Sequence, residues 1–401
     1  MDLLILTDWE FPCDEPFMRE VYAKRWQDAG HRVTWIMRPS GNDANSQETW
    51  HGSPVYVAPD HVYRYRNVLG VGSAAGTKWL ESIWDAEGGF DVVQVRNDLA
   101  AMPPAQQLAS THDIPLVFRH SHLKAETLIL GYREGVDGYG LIDYGKGLFG
   151  RTIRDRLLAD VDAVFTISNA MSQYHREVRG IETPLYSVPM GADTTLLADE
   201  IDPEPFCLRY GLPVDEYLIY MGSMNPLRNL EFLFRVLSIV RESKPEVKLA
   251  LVGGRDERQR ERLRSQAEAH AVGDATVFTG WVNETDLHRA IVGAALGLSP
   301  LPPNKVFRTN SPTKVLEYLN LGTPAVTTRT PEQVDMVESN GAGKAVDYTP
   351  EAFADTILAF LNDSNARREM GSAGREYIAK NRSYYYLNKT VLEKYKSIIG
   401  T

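Results

Sequence analysis

The chain has 401 residues, with 43% hydrophobic, 24% charged and 10% aromatic side chains. That is a globular composition of about two to four domains, and it excludes a disordered, collagenous or coiled-coil chain. Lys and Arg number 43 against 53 Asp and Glu, a formal charge of −10 that argues against a dedicated nucleic-acid binder.

Cys13 and Cys207 fit no disulfide framework, zinc spacing or C-x-x-C pair, so free thiols in a reducing compartment are expected. The apolar run at the start of the chain stops at Asp8 and has no basic leader, too short for a signal peptide or a span. A cytoplasmic place is expected, with the inner membrane surface left open.

The first strand is predicted over Leu3–Trp9, and a helix opens at Pro16-Phe17-Met18 and runs toward Gly30, with Pro in its first turn and Gly past its end. Strands follow at Arg32–Met37, Asp91–Arg96, Leu116–His120, Ala163–Ser168 and Tyr186–Met190, with helical patterns between them. Gly70-Val-Gly72-Ser-Ala-Ala75 fits the dinucleotide fingerprint, but the preceding Tyr63–Asn67 makes a poor buried strand and a glycine loop is the better reading. Asp160-Val161-Asp162 has the look of a cation-holding carboxylate pair, yet it precedes a strand rather than following one and reads as a solvated turn.

After Gly191-Ala192-Asp193 periodicity fades through Pro203, Pro205 and Gly211, and alternation then restarts. Strands are predicted at Tyr217–Gly222, Val247–Gly253, Thr276–Trp281, Leu296–Leu301 and Pro324–Thr327, with helices from Arg228, Asp256, Glu284 and Thr313. Three more helical stretches close the chain, the last over Tyr384–Ile399 with Leu387, Val391, Leu392 and Tyr395 at helical spacing. The fold class expected is α/β, two tandem Rossmann-like doubly wound domains facing a cleft. They occupy 1–195 and 214–382, joined by a linker over 196–213, with a terminal helix over 383–401 that can cross back to the first domain. In such sheets ligand groups come from loops at the carboxyl ends of strands.

One constellation sits at such an end. Asn310-Ser311-Pro312-Thr313-Lys314-Val315-Leu316-Glu317 follows the strand at Leu296 and opens a helix at Pro312. Free N–H groups and a positive dipole end there suit a diphosphate, Lys314 adds charge, and Glu317 one turn further can accept from ribose hydroxyls. From spacing alone, a capped helix with exposed Lys and Glu is an equal reading. Ser311-Pro-Thr-Lys314 also matches an S-x-x-K acylase pattern but lacks its partner motifs.

This stretch resembles the C-terminal signature of the family 4 retaining glycosyltransferases of the GT-B fold. Similar matches run along nearly the whole chain: Ala29-Gly30-His31-Arg32-Val33, Val188-Pro189-Met190-Gly191-Ala192-Asp193, Tyr220-Met221-Gly222 through Arg228-Asn229-Leu230, Val252-Gly253-Gly254, and Phe278-Thr279-Gly280-Trp281-Val282. The resemblance implies a metal-independent enzyme without a cofactor that moves a sugar from a nucleotide diphosphate donor, its co-substrate, to a glycan, lipid-linked or small-molecule hydroxyl acceptor in glycan or glycolipid assembly. Front-face transfer assisted by the leaving phosphate is what the family implies.

Carried over by position, the resemblance gives donor-binding roles to Gly222, Ser223, Arg228, Gly253, Thr309, Asn310, Ser311, Pro312, Lys314 and Glu317. Two departures stand out. The first member of the family's Glu-x7-Glu pair is Thr309, a neutral hydroxyl, and the phosphate loop's Arg and Lys are Ser223 and Arg228. Arg228 keeps a cation suited to bidentate phosphate binding, and Lys314 is expected to make good the charge lost at Ser223. His120 and His122, at the end of Leu116–His120, lie where the family carries a histidine facing the donor sugar, His120 being the first choice. They join Arg228 and Lys314 as candidate catalytic residues.

Arg96 closes another strand and is a candidate acceptor contact or a helix cap. Glu10, Asp14 and Glu15, with Arg19, replace the family's glycine pair in the first loop and are expected to face the acceptor. Tyr63, Arg64, Tyr65, Arg66, Lys146, Arg151, Arg154 and Arg156 form candidate surfaces for an anionic membrane or a lipid diphosphate. Two other readings stay open: a non-catalytic nucleotide-sugar or glycan-binding protein, and a nucleotide-sugar epimerase of the same architecture. An acceptor requirement separates them.

Overall fold

Two sheets, each flanked by helices, organise the chain. The computed structural model describes residues 1–13, 15–40, 45–69, 73–254 and 256–400. They divide into two compact units, one of Met1–Glu134, Tyr139–Pro189 and Tyr384–Thr401, the other of Gly135–Gly138 and Met190–Ser383.

The first unit holds β1 (Asp2–Phe11), β2 (Arg32–Pro39), β3 (Gln47–Trp50), β4 (Ser53–Val57), β5 (Val92–Arg96), β6 (Leu116–His120), β7 (Ala163–Thr166) and β8 (Leu185–Ser187), in the order β3-β4-β2-β1-β5-β6-β7-β8. Pairing is parallel except for the β3/β4 hairpin. Strands covered on both faces must be apolar throughout, and Leu3–Leu6, β5 and β6 are buried along their lengths. The hairpin is missed: Gln47, Glu48 and Thr49 of β3 are exposed at the sheet's edge, while β4 alternates buried Ser53, Val55 and Val57 with half-buried Pro54 and Tyr56. Its turn is signalled by His51 and Gly52, both left-handed at φ 49° and 84°. Pro16 and Phe17 do open the first helix, which is π-wound over Met18–Arg25. The terminal helix Tyr384–Ile399 belongs to this unit: Leu387, Val391 and Tyr395 are buried, Tyr395 packs edge-on against Trp26 and Phe165, and its hydroxyl donates to Gln94.

The second unit holds β9 (Tyr217–Met221), β10 (Lys248–Val252), β11 (Thr276–Gly280), β12 (Leu296–Ser299), β13 (Ala325–Thr328) and β14 (Gly343–Val346), all parallel, in the order β11-β10-β9-β12-β13-β14. The short edge strand β14, whose first half is polar, escaped prediction. Four helices rather than three close the chain: Pro331–Val337, Pro350–Leu361, Ser364–Tyr377 and Tyr384–Ile399.

The expected linker over 196–213 is a correction. It lies inside the second unit, which starts at Met190, and carries the helix Glu204–Tyr210, whose Phe206 and Cys207 enter the core beside Tyr217 and Ile291. Its Pro and Gly are helix punctuation rather than linker composition. Pro203 stands at the start, and Gly211 closes the helix in the left-handed conformation at φ 63°. Cys13 and Cys207 are buried, and neither is in a disulfide. No helix among the described residues is long and apolar enough to cross a membrane. Asp160–Asp162 is a turn in which the Asp162 carboxylate accepts from Leu116 N at 2.7 Å. Gly70 and Gly72 lie outside the described residues.

Candidate functional site

At the carboxyl edge of the second sheet, β9, β10 and β11 each end at a left-handed glycine: Gly222 at φ 124°, Gly253 at 118° and Gly280 at 68°. Gly222 N donates to Val252 O and Gly253 N to Gly280 O, each at 2.9 Å, so the strand ends are tied side by side. A Cβ on Gly253 would stand 2.5 Å from Gly222 O, a distance no side chain tolerates. The edge is therefore a floor of bare backbone, the surface a phosphate chain needs for close approach.

Over this floor stands the helix Thr313–Asn320, seated by the buried Val315, Leu316, Tyr318 and Leu319. Tyr318 occupies the space a Cβ on Gly297 would fill, and its hydroxyl accepts from Met221 N at 3.0 Å, which fixes the helix against β9 and β12. Pro312 is the N-cap and brings no side-chain cap, leaving first-turn N–H groups without that partner.

Lys314 and Glu317, three residues apart, share a face of the helix. The Lys314 ammonium is buried, sits 3.6 Å from the centre of the Tyr220 ring and has no hydrogen-bond partner among the described residues. It is also 3.6 Å from where a Gly222 Cβ would be. Burial, and secondarily the Arg228 charge, hold its pKa well below that of an ordinary lysine. The reading of a solvated Lys on a capped helix is thus overturned. Arg228 ends the turn Pro226–Arg228, capped by Asn225 through Leu227 N at 2.9 Å, and its guanidinium lies 5.6 Å from the Phe307 ring.

Glu317 is half-buried, with no donor to its carboxylate among the described residues. Burial first, then the charges of Glu284 and Asp193, push its pKa up to about 7. Asp193 is fastened nearby, its carbonyl accepting from Asn320 Nδ2 at 2.9 Å. Tyr220, Asp193 and Glu284 were not singled out as site residues. Tyr220 and Asp193 stood inside quoted motifs, and Glu284 follows the helix cap Asn283.

The remaining donor-side candidates gather here with smaller parts. Ser311 is buried and its hydroxyl accepts from Met190 N at 3.3 Å. Asn310 ends the turn Phe307–Thr309. Thr309 is buried and donates to Val306 O at 2.9 Å, so the neutral replacement for the family's glutamate is turned into its own loop. Ser223 is exposed, and its hydroxyl accepts from Asn225 N at 3.2 Å.

The first unit contains a cavity of about 600 Å³ at the ends of β1, β5 and β6, with Asp8, Asn97, Asp98, His120, His122 and Lys124 in its wall. His120 and His122 line the same cavity but are held differently. His120 is buried: its Nδ1 is 2.9 Å from His175 Nε2, and a further hydrogen bond ties its ring to the His122 backbone. Burial, then His175, lowers its pKa well below the ordinary value, and burial lowers that of His175 to about 4. His122 is exposed, with Nε2 3.5 Å from Thr127 Oγ1. Below them Arg154 pairs with Glu126 and Asp155 at 2.7 Å each.

Other first-unit candidates are committed within the fold. Arg96 is buried and donates to Asp8 at 2.8 Å, and Glu15 is buried, its carboxylate accepting from Met18 N at 2.8 Å as a helix cap. Glu15, expected to face the acceptor, is thus a helix cap, and Arg96, expected as an acceptor contact or a cap, is tied to Asp8. Glu10 is exposed on β1, and Asp14 lies outside the described residues. Of the predicted basic-aromatic surface, Tyr63 and Arg154 are buried, the first donating to Ile36 O and the second paired with acids, while Arg64, Lys146 and Arg156 are exposed.

Comparison with known proteins places both halves. Residues 19–191 match the glycosyl transferase 4-like domain and residues 212–377 the glycosyl transferases group 1. A GDP-mannose-dependent alpha-(1-6)-phosphatidylinositol monomannoside mannosyltransferase of Mycolicibacterium smegmatis is 26% identical over 245 residues, which span 58% of this chain and 61% of that relative. Among solved structures, sucrose-phosphate synthase of Thermosynechococcus elongatus superposes with a TM-score of 0.76 at 16% identity, covering 100% of both chains. Anabaena HepE in complex with UDP superposes at 0.70 and 15% identity, covering 99% of this chain and 100% of that one. These two structures share the fold, and the two domain matches share its order along the chain. The chain belongs to the glycosyltransferases that pair a 4-like domain with a group 1 domain in the GT-B fold.

Proposed function

We propose that the protein transfers a sugar, with retention, from a nucleotide diphosphate donor held by the second unit to a hydroxyl acceptor held by the first. The observation that carries this is Lys314: a buried ammonium without a hydrogen-bond partner, next to the left-handed Gly222 and within the field of Arg228. An unsatisfied buried cation is costly, and a diphosphate on the glycine floor satisfies it.

In this reading Lys314, Arg228 and the uncapped helix start stabilise charge growing on the leaving diphosphate, while Glu317 accepts from the ribose hydroxyls. The bond from the anomeric carbon to the diphosphate oxygen breaks, the acceptor oxygen takes that carbon, and the acceptor proton leaves on the diphosphate. His122, whose ring is exposed in the cavity, is the better candidate for the sugar-facing histidine, and His120 is the residue that holds its backbone. No metal is assigned a part. Arg64, Lys146 and Arg156 are the exposed cations on which contact with an anionic membrane would rest.

Thermal denaturation against UDP, GDP, ADP and CMP and their sugars tests the donor half, since a ligand at 100 times its dissociation constant adds about 2.7 kcal/mol. Stabilisation by one nucleotide diphosphate, lost in Arg228→Ala and Glu317→Ala, is expected. No stabilisation by any of them overturns the proposal. Sugar transfer that requires an added acceptor separates the transferase from an epimerase or a binding protein.

A further inference from the structure

The first-unit cavity differs from an ordinary polyol pocket in its charge balance and in what leads out of it. Most of the ions in its wall cancel. Arg38 pairs with Asp98, Asp8 accepts from Arg96, and Arg154 is held by Glu126. Lys124 has no acidic partner among the described residues, and Lys146 has only Asp143 at 3.9 Å on its own helix, an exposed pair of small worth. The uncancelled charge is therefore positive, at Lys124 where the helix Lys124–Arg133 begins and at Lys146 on the helix Leu141–Leu158.

From the second of these helices Lys146 and Phe149 both line the cavity. Ile142, Gly145, Lys146 and Phe149 are spaced i, i+3, i+4, i+7, which puts them in one stripe. Ile142 is 74% and Phe149 41% exposed, and a Cβ on Gly145 would touch nothing, so the stripe is an open apolar track with a cation in its middle. A soluble helix ordinarily turns such a stripe inward. This one turns Gly147, Gly150, Arg154 and Leu157 inward instead and leaves the apolar track outside.

We infer that the acceptor is an amphiphile in which a phosphate ester joins a hydroxylated head to an apolar chain. The head occupies the polar end of the cavity near Asp8, Asn97 and Asp98, the phosphate lies between Lys124 and Lys146, and the chain runs out over Phe149 and Ile142. This rests on the transferase reading above, whose acceptor it specifies.

Calorimetric titration of the full chain with octyl phosphate below its micellar concentration, inorganic phosphate and octyl glucoside tests it. Octyl phosphate is expected to bind at least about tenfold more tightly than either of the others. Lys124→Gln/Lys146→Gln should remove about tenfold from octyl phosphate, and Ile142→Ser/Phe149→Ser about threefold or more from octyl phosphate while leaving inorganic phosphate unchanged. All four side chains are exposed, and an unchanged melting temperature verifies the fold of each variant. Octyl phosphate binding no tighter than inorganic phosphate, or indifference to the lysine pair, overturns the inference. Stabilisation of the same samples by a nucleotide diphosphate shows whether the transferase reading stands when this one falls. Sedimentation with phosphatidylglycerol vesicles then distinguishes a bilayer source of the acceptor, with co-sedimentation lost in the lysine variant, from a soluble phosphorylated acceptor, with none.

Discussion

Replacing Lys314 by Met keeps the length of the side chain and removes its charge. Stability and donor affinity should move in opposite directions. In the unliganded protein the ammonium is buried with no hydrogen bond, and only the face of the Tyr220 ring, 3.6 Å away, offers attraction. Cation–π contact returns about 0.5–2 kcal/mol against a burial cost of several, so Lys314→Met should stabilise the apo fold by about 1 kcal/mol or more. For a unit of this size that is about 2–4 °C in melting temperature. With a diphosphate bound, the lost charge-assisted hydrogen bond is worth about 1.5–3 kcal/mol, or about 10–150-fold in dissociation constant. Thermal denaturation gives the first quantity and titration with UDP-glucose or GDP-mannose the second. Because the folded pKa lies below the unfolded one, wild-type stability rises as pH climbs through the folded pKa toward 10.5, and the variant loses that rise. A variant that melts lower, or binds donor unchanged, would refute the account of Lys314 as a cation waiting for an anion.

Glu317 has a folded pKa of about 7 against an ordinary 4.5, so the fold binds the extra proton between those values and its stability falls as pH rises from about 4.5 to about 7. Glu317→Gln should add up to about 3 kcal/mol at pH 8, and the roughly tenfold weakening of nucleotide-sugar binding from pH 8 to 6 in the wild type should vanish, as titrations at both pH values will show. Gly253→Ala should abolish donor binding and cost about 2 kcal/mol or more, because its Cβ meets Gly222 O. The control Gly30→Ala, at φ 79° with nothing near, should cost only about 1 kcal/mol in denaturant unfolding. Glu126→Gln should destabilise by about 2–4 kcal/mol, since Arg154 then keeps only Asp155 in a buried place. His122→Ala should lower kcat with little change in melting temperature and His120→Ala should lower the melting temperature; the reverse pattern would restore His120 as the sugar-facing residue.

The strands of both sheets were legible because buried parallel strands are continuous apolar runs, and Leu3–Leu6 or Leu249–Val252 admit little else. Of the strands that escaped, the exposed β3 and the half-polar β14 carry little apolar weight, whereas β4 escaped although Val55 and Val57 alternate into the core. The Pro and Gly at 203 and 211 misled for another reason, since the same residues that break order also begin and end helices. Within the site, positions were legible and states were not. That Lys314 belongs to a helix start could be read from Pro312 and the following apolar residues. Its burial depends on Tyr220 and Gly222, about ninety residues earlier, brought beneath it by β9 lying beside β12. His120 and His122 could not be ranked for the same reason: His175, which occupies His120, comes from a helix beyond β7.

The second unit's edge breaks several rules of a stable fold at one place. A lysine is buried unpaired, a glutamate stands half-buried among carboxylates, and adjoining strands end on left-handed glycines. The two charged residues would be cheaper as something else, Met at 314 and Gln at 317, while the glycines are held by backbone that no side chain fits. In the proposed function one ligand would relieve them together: a diphosphate would neutralise Lys314 beside Arg228, ribose hydroxyls would donate to the Glu317 carboxylate, and the bare backbone would admit phosphate oxygens at hydrogen-bond distance. Local rules fail together where function requires the failure, and the rest of the second unit, including the far side of the same helix at Val315, Leu316 and Leu319, keeps them. Stability gained by Lys314→Met and Glu317→Gln at no loss of donor binding would break that link, because strain that serves a ligand cannot be removed without weakening the ligand's hold.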